Sequence, residues 1–219
     1  MTFSICVRET RAAGDGERVR FGVAVATNNP GIGVFCPFVS GNGAVATQHY
    51  TVGEVGPRLL GYLDDGLRAD DAVAATLAAV SRPHLRQVHA LCRESRGVHH
   101  GDAPSVYGDR VGGNYSVAGN TLAGEAVLDA IAEAFEHADP DRELAARLVE
   151  ALAAGEEAGG DRRNDDVRSA AVRVVDPGAP IANEWYNDLR VDASRTPIAD
   201  LTEQHKLAKD YHAEAAAEW

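Results

Sequence analysis

Lysine is almost missing from this chain: 19 of its 21 basic residues are arginine, and only Lys206 and Lys209 are lysine. Bases are outnumbered as well, 21 against 33 acids, for a formal charge of −12. A surface so negative repels a phosphate backbone or an anionic bilayer, so neither nucleic acid nor membrane is expected as a partner. Cysteine is scarce. Cys6, Cys36 and Cys92 are odd in number, far apart and outside any CxxC pair. They predict neither a disulfide framework nor a zinc site, and read as small buried apolar residues in a reducing compartment. No apolar run approaches the roughly 18 residues of a membrane span. The opening Met1-Thr2-Phe3-Ser4-Ile5-Cys6 also lacks the basic start and apolar stretch of a secretory signal. A cytoplasmic location is expected.

What is present is ordinary globular material: 219 residues, 45% hydrophobic and 25% charged, enough for one large domain over residues 1–219. The acidic, lysine-poor, alanine-rich composition matches adaptation to high salt, where screening weakens repulsion among surface acids. Phe3, Ile5 and Val7 alternate with Thr2, Ser4 and Cys6, predicting a strand with one buried face. After the turn at Ala13-Gly14-Asp15-Gly16, Val19, Phe21, Val23 and Val25 continue the period of two, predicting a hairpin. Gly22 and Ala24 mark close packing on the other face. A short strand is expected over 44–48. Helices follow near 54–65 and from Asp70 or Asp71 to before Pro83, then strand character from Leu85 to Cys92 and at 97–100. Periodicity of 3.6 residues predicts helices at 124–137 and 142–154, with Gly155 and Gly159-Gly160 breaking the pattern. Strands are expected at 169–175 and 184–191, and Pro197 starts a terminal helix reaching 217. The class is α+β.

Thr2 opens the first strand, and chain ends fray unless something ties them down. Removal of Met1 ahead of so small a residue leaves a hydroxyl and a free α-amine on Thr2. An α-amine with a reference pKa of about 7.7–8.0 suits a general base. It takes the hydroxyl proton directly or through a water, so one residue supplies nucleophile and base.

Seven segments occur together in order: Thr2-Phe3-Ser4-Ile5, Gly22-Val23-Ala24-Val25-Ala26, Gly43-Ala44-Val45-Ala46-Thr47-Gln48, Gly56-Pro57-Arg58, Asn114-Tyr115-Ser116-Val117-x-Gly119-Asn120-x-Leu122, Ala158-Gly159-Gly160-Asp161-Arg162-Arg163 and Asp188-Leu189-Arg190-Val191-Asp192. From Thr2 to about Leu207 the chain resembles the family called domain of unknown function 1028, placed in the N-terminal-nucleophile (Ntn) hydrolase superfamily. The resemblance implies a four-layer α-β-β-α sandwich, a tendency to homo-oligomers, and Thr2 as nucleophile. It also implies a Ser-Lys pair where this chain has Thr27-Asn28.

An amide hydrolase needs donors aimed at a developing oxyanion. Asn120 and Asn114 are candidates in a Gly-rich segment, where asparagine also forms turns. Asp161 and Arg162 are placed to orient the Thr2 amine and to bind a substrate carboxylate, or to pair with each other in a loop. Gln48 and Arg58 bracket the end of the third strand and the first helix, as pocket residues or, for Arg58, a cap. Adjacent His99 and His100 point to opposite faces of a strand and so do not share a metal ion, and Cys92 faces away from His89. Gly112-Gly113-Asn114 and Gly14-Asp15-Gly16 match neither a P-loop nor a dinucleotide fingerprint, so no cofactor is expected. The reading is an amidohydrolase cleaving a C–N bond, other than a peptide bond, in a small-molecule substrate. Its alternative is a non-catalytic ligand-binding or assembly module, favoured by Asn28.

Overall fold

A computed structural model describes residues 2–14, 16–51, 53–102, 106–160, 167–178 and 184–217. Over these residues the chain is mixed α+β, with five helices and two antiparallel sheets. The first sheet has six strands: β1 (Thr2–Ala13), β2 (Gly16–Thr27), β7 (Gly108–Val111), β8 (Tyr115–Asn120), β9 (Arg168–Val175) and β10 (Asp188–Ser194). Their spatial order is β10-β9-β2-β1-β8-β7. The second has four strands in the order β3-β4-β5-β6, from β3 (Pro37–Val39), β4 (Gly43–His49), β5 (Arg86–Cys92) and β6 (Arg96–His99). The helices are α1 (Val55–Asp64), α2 (Ala69–Ala79), α3 (Ala126–His137), α4 (Leu144–Glu157) and α5 (Pro197–Ala217). None is long and apolar enough to cross a membrane.

Three apolar clusters hold these elements. Phe3, Ile5 and Val7 of β1 pack with Leu128, Ile131, Leu148 and Leu152 of α3 and α4. Cys6, Phe21, Val23 and Val25 meet Ala44, Ala46 and Leu91 between the two sheets. Val45, Val88 and Ala90 turn the other way, onto Leu59, Leu63 and Val73 of α1 and α2. The first strand is therefore buried on both faces over residues 2–7, not on the single face its alternation predicts. The pattern hides this because Thr2 and Ser4, on the inner face, are polar. Each buried apolar side chain on the outer face contributes about 1.5–3 kcal/mol.

Glycines set the spacing of the helix layer. A Cβ on Gly22 would lie 2.7 Å from Leu148 and 3.1 Å from Val174, which is the close packing expected there. Gly155, expected to break a helix, lies inside α4 instead. A Cβ on it would come within 2.6 Å of Ile131, so its lack of a side chain brings α3 and α4 together. Three strands were not anticipated: β3, β7 and β8. In β8 the glycine and asparagine that suggest turns are strand residues, because Gly119 lies against Leu122 and the Thr2 carbonyl. The last strand begins at Asp188, after a 3₁₀ turn over Trp185–Asn187.

One ionic cluster ties α4 to the hairpin. Glu9 faces Arg20 across the β1–β2 register, and its carboxylate takes hydrogen bonds from Arg11, Arg20 and Arg147. The Arg147 guanidinium also stacks 5.0 Å from the centre of the Phe135 ring. Burial alone would raise the Glu9 pKa. The charge of Arg20 and the arginine hydrogen bonds outweigh it and hold the carboxyl below its usual value. Removing one member of a buried ion pair strands its partners. Glu9→Gln is therefore expected to lower stability in urea unfolding by about 3 kcal/mol, and a change below about 0.5 kcal/mol, the size of an exposed pair, would refute this role.

Candidate active site

The inner face of β1 carries Thr2, Ser4, Cys6 and Arg8 in alternation. Thr2 stands directly between Thr27 of β2 and Asn120 of β8 in the pairing register. Its Oγ1 lies 3.1 Å from Thr27 Oγ1, and Thr2 is 6% exposed. Thr27, Asn28 and Asn120 around it are also buried. Side chains on facing positions of neighbouring strands have Cβ atoms about 4.5–5.5 Å apart. The Thr2 hydroxyl thus has polar neighbours on both sides.

The opposing sheet supplies the rest. Asn120 Nδ2 donates to Gln87 Oε1 at 2.8 Å. Gln87 Nε2 donates to the Gly119 carbonyl at 2.8 Å and to His100 Nδ1 at 2.9 Å. An acceptor at Nδ1 leaves the His100 proton on Nε2, which donates to Asp109 at 2.6 Å. Beside this chain runs a second. Gln48 Nε2 donates to Ser4 Oγ at 2.8 Å and to the Ala118 carbonyl at 3.2 Å. The Ser4 hydroxyl proton then goes to His89 Nε2 at 2.7 Å, and His89 Nδ1–H donates to Ser116 Oγ at 3.0 Å. Gln48 Oε1 is buried and has no partner among the described residues.

Ser4, His89 and Ser116 have the order of nucleophile, base and orienting group, yet all three are fully buried. Burial pushes His89 down to about 3. A neutral imidazole between two hydroxyls satisfies the inner faces of three strands rather than moving protons to a substrate. The other polar groups of the seam gather at the Thr2 end. There β4 and β8 both stop on a left-handed residue, His49 at φ 70 and Thr121 at φ 56. A β-branched threonine in that region is strained, and such strain collects where a fold holds functional groups in place.

The structure therefore brings together Thr2, Asn120 and Gln48. It separates the others. Arg58 is exposed on α1, which packs on the far side of the second sheet. Asn114 is exposed in the β7–β8 turn and its carbonyl accepts from Arg8 N–H, about 20 Å along β1 from Thr2. Asp161 and Arg162 lie outside the described residues. Gly160, just before them, accepts at its carbonyl from Ala123 N–H, three residues beyond Asn120. His99 bonds the Pro83 carbonyl while its neighbour His100 bonds Gln87 and Asp109.

Sequence reasoning missed Thr27, Ser4, Gln87, His89, Ser116, His100 and Asp109. A signal exists for four of them. Thr2-x-Ser4, Gln87-x-His89 and Ser116-x-Ala118-x-Asn120 place polar residues at alternate positions of otherwise apolar strands. That is the period of one strand face.

Residues 2–201 match the family of unknown function DUF1028, and the chain belongs to it. Among solved structures it is similar to the crystal structure of a DUF1028 protein from Silicibacter pomeroyi. The identity is 27% and the TM-score 0.79, over 94% of this chain and 88% of that one. No curated protein matches it.

The His89 geometry predicts a pH dependence. Its folded pKa of about 3 lies below the unfolded value of about 6.5, so between these the unfolded state binds more protons. The stability it confers is complete above about pH 6.5 and is lost as pH falls toward about 3. Urea unfolding of wild type and His89→Gln from about pH 7 to about pH 4 should show the steeper acid loss in wild type. Parallel curves would contradict a buried neutral His89. His49 and His205, whose burial lowers them in the same direction, are common to both proteins and cancel.

Proposed function

We infer that this member of the family is an Ntn-type amidohydrolase that cleaves a C–N bond, other than a peptide bond, in a small amide. The observation that carries the reading is the position of Thr2: the start of a strand buried on both faces, its hydroxyl held 3.1 Å from Thr27 Oγ1 and Asn120 opposite it. Two sheets packed face to face, with α3 to α5 on one side and α1 and α2 on the other, support assignment to the four-layer α-β-β-α sandwich of that superfamily, as a single domain. The substrate is a small molecule, and the chemistry uses no cofactor.

Cleavage of the Met1–Thr2 bond frees the Thr2 α-amine. The amine, with a reference pKa of about 7.7–8.0, accepts the Oγ1 proton as Oγ1 attacks the substrate carbonyl. One Asn120 Nδ2 hydrogen is taken by Gln87, and the second is available to the oxyanion. Collapse breaks the C–N bond, the ammonium returns its proton to the leaving amine, and an ester to Thr2 remains. Water, deprotonated by the same amine, attacks the ester and restores the hydroxyl.

Asn28 supports a second reading. It is buried beside Thr27, where the resemblance implies a lysine, and a neutral amide adds no charge to lower the pKa of a nearby amine. A chain that kept the fold as a ligand-binding or assembly module would look the same.

Intact mass and N-terminal sequencing of protein from its native host are expected to show Thr2 as the first residue. Thr2→Ala is expected to lower hydrolysis across a panel of small amides by at least about 10³-fold, with unfolding unchanged. Quantitative retention of Met1, or hydrolysis unaffected by Thr2→Ala, would overturn the enzyme reading and leave the second.

A further inference from the structure

On the inner face of β1, Arg8 lies about 20 Å from Thr2 at the usual strand rise. Arg8 is half-buried, and its guanidinium has no hydrogen-bond or ion-pair partner among the described residues. Most other arginines are paired: Arg110 with Asp129, Arg142 with Glu150, Arg173 with Asp188 and Arg190 with Asp192. Arg58 and Arg93, which also have no partner among the described residues, are exposed. Arg8 is thus a half-buried cation whose donors are free to take an anion.

It borders a cavity of about 140 Å³, with Arg96, Cys92 and Ser95 on the other walls and the Gly113-Asn114 turn beside them. Arg96, exposed at the rim, donates to the Gly112 carbonyl, which leaves further N–H groups of its fork unused. Exposed Glu94 contributes the one carboxylate of the lining, so the cavity is net positive in a chain of net charge −12. Ser95 Oγ takes a hydrogen bond from Ala69 N–H at the start of α2 and lies 3.1 Å from Cys92 Sγ. The volume is close to the ~150 Å³ that accommodates benzene, room for a tetrahedral oxyanion or a short carboxylate.

We propose that this cavity, at the far end of the inter-sheet seam from Thr2, is a binding site for a small oxyanion, clamped between the guanidinium groups of Arg8 and Arg96. Guanidinium forks match phosphate and carboxylate oxygens in pairs. The site does not depend on the chemistry inferred for Thr2. It also gives Asn114 a place: a wall of this cavity, not of the Thr2 end.

Cys92 reports occupancy. Burial would raise its thiol, but the Ser95 hydroxyl and the backbone N–H groups of Glu94, Ser95 and Ala69 outweigh it and lower the pKa. Cys6 and Cys36 are fully buried with raised pKa values, so alkylation reads Cys92 alone. An anion beside the sulfur blocks the reagent and disfavours the thiolate.

The experiment follows iodoacetamide alkylation of Cys92 by mass spectrometry, in sodium chloride and in inorganic phosphate or succinate of matched ionic strength. Phosphate or succinate is expected to slow alkylation several-fold and to raise the unfolding temperature. Protection by phosphate alone assigns a phosphoryl ligand, and protection by succinate alone a carboxylate. Arg8→Gln and, separately, Arg96→Gln should lose the protection while remaining folded and alkylated at the chloride rate. Equal rates in all three salts, or protection that survives both substitutions, would overturn the site.

Discussion

Burial of the first strand on both faces is the constraint from which the rest of the molecule follows. Phe3, Ile5 and Val7 are consumed by the helix layer, so the residues between them are pressed against the second sheet. A polar group there loses water and must be repaid with a hydrogen bond, at a cost of about 1–3 kcal/mol if it is not. Ser4 is answered from the opposing sheet by Gln48 and His89, and Thr2 from its own sheet by Thr27. The outcome is an interface between sheets that is apolar around Cys6, Phe21 and Leu91 and hydrogen-bonded toward Thr2.

Such a network fixes geometry more than it adds stability. The directions of its hydrogen bonds determine one another: Gln48 donating to Ser4 sends the Ser4 proton to His89, and the His89 proton to Ser116. Slippage of β1 by one residue would bury Phe3 and Ile5 against glutamines and expose Thr2 and Ser4 to the helices. The register that satisfies the network is also the one that sets Thr2 between Thr27 and Asn120. Pre-organisation of this kind is what a nucleophile needs, since a catalytic group helps only when it is held close to its reacting geometry. Farther along the same face, Arg8 opens onto the cavity shared with Arg96 and Cys92.

Much of this was legible in the sequence, and the exceptions have physical causes. The β1–β2 hairpin and the five helices described follow from apolar period and from the prolines and glycines that flank them. The β8 strand was hidden because Gly119 and Asn120 have low strand propensity, and only contact with Leu122 and Thr2 makes glycine the right residue there. Gly155 was misread for a similar reason, since helix propensity says nothing about the approach of Ile131. Thr2, Asn120 and Gln48 were found as separate candidates. That they share one seam depends on which sheet faces which, a long-range fact with no local signature. Arg58 and Asn114 lie near those residues in sequence, yet a sheet separates Arg58 from the seam and about 20 Å of β1 separates Asn114 from Thr2.

Thr2 as an oxygen nucleophile is the central claim, and covalent trapping tests it most directly. A β-lactone is a strained ester whose ring opens when a hydroxyl attacks its carbonyl, leaving an acyl group on that oxygen. A crystal structure of the protein from its native host after treatment with a β-lactone should show density running from Thr2 Oγ1 into the opened acyl chain, with a free α-amine on Thr2. An intact Met1–Thr2 peptide bond with an unmodified hydroxyl, or an adduct on any other residue, would contradict it.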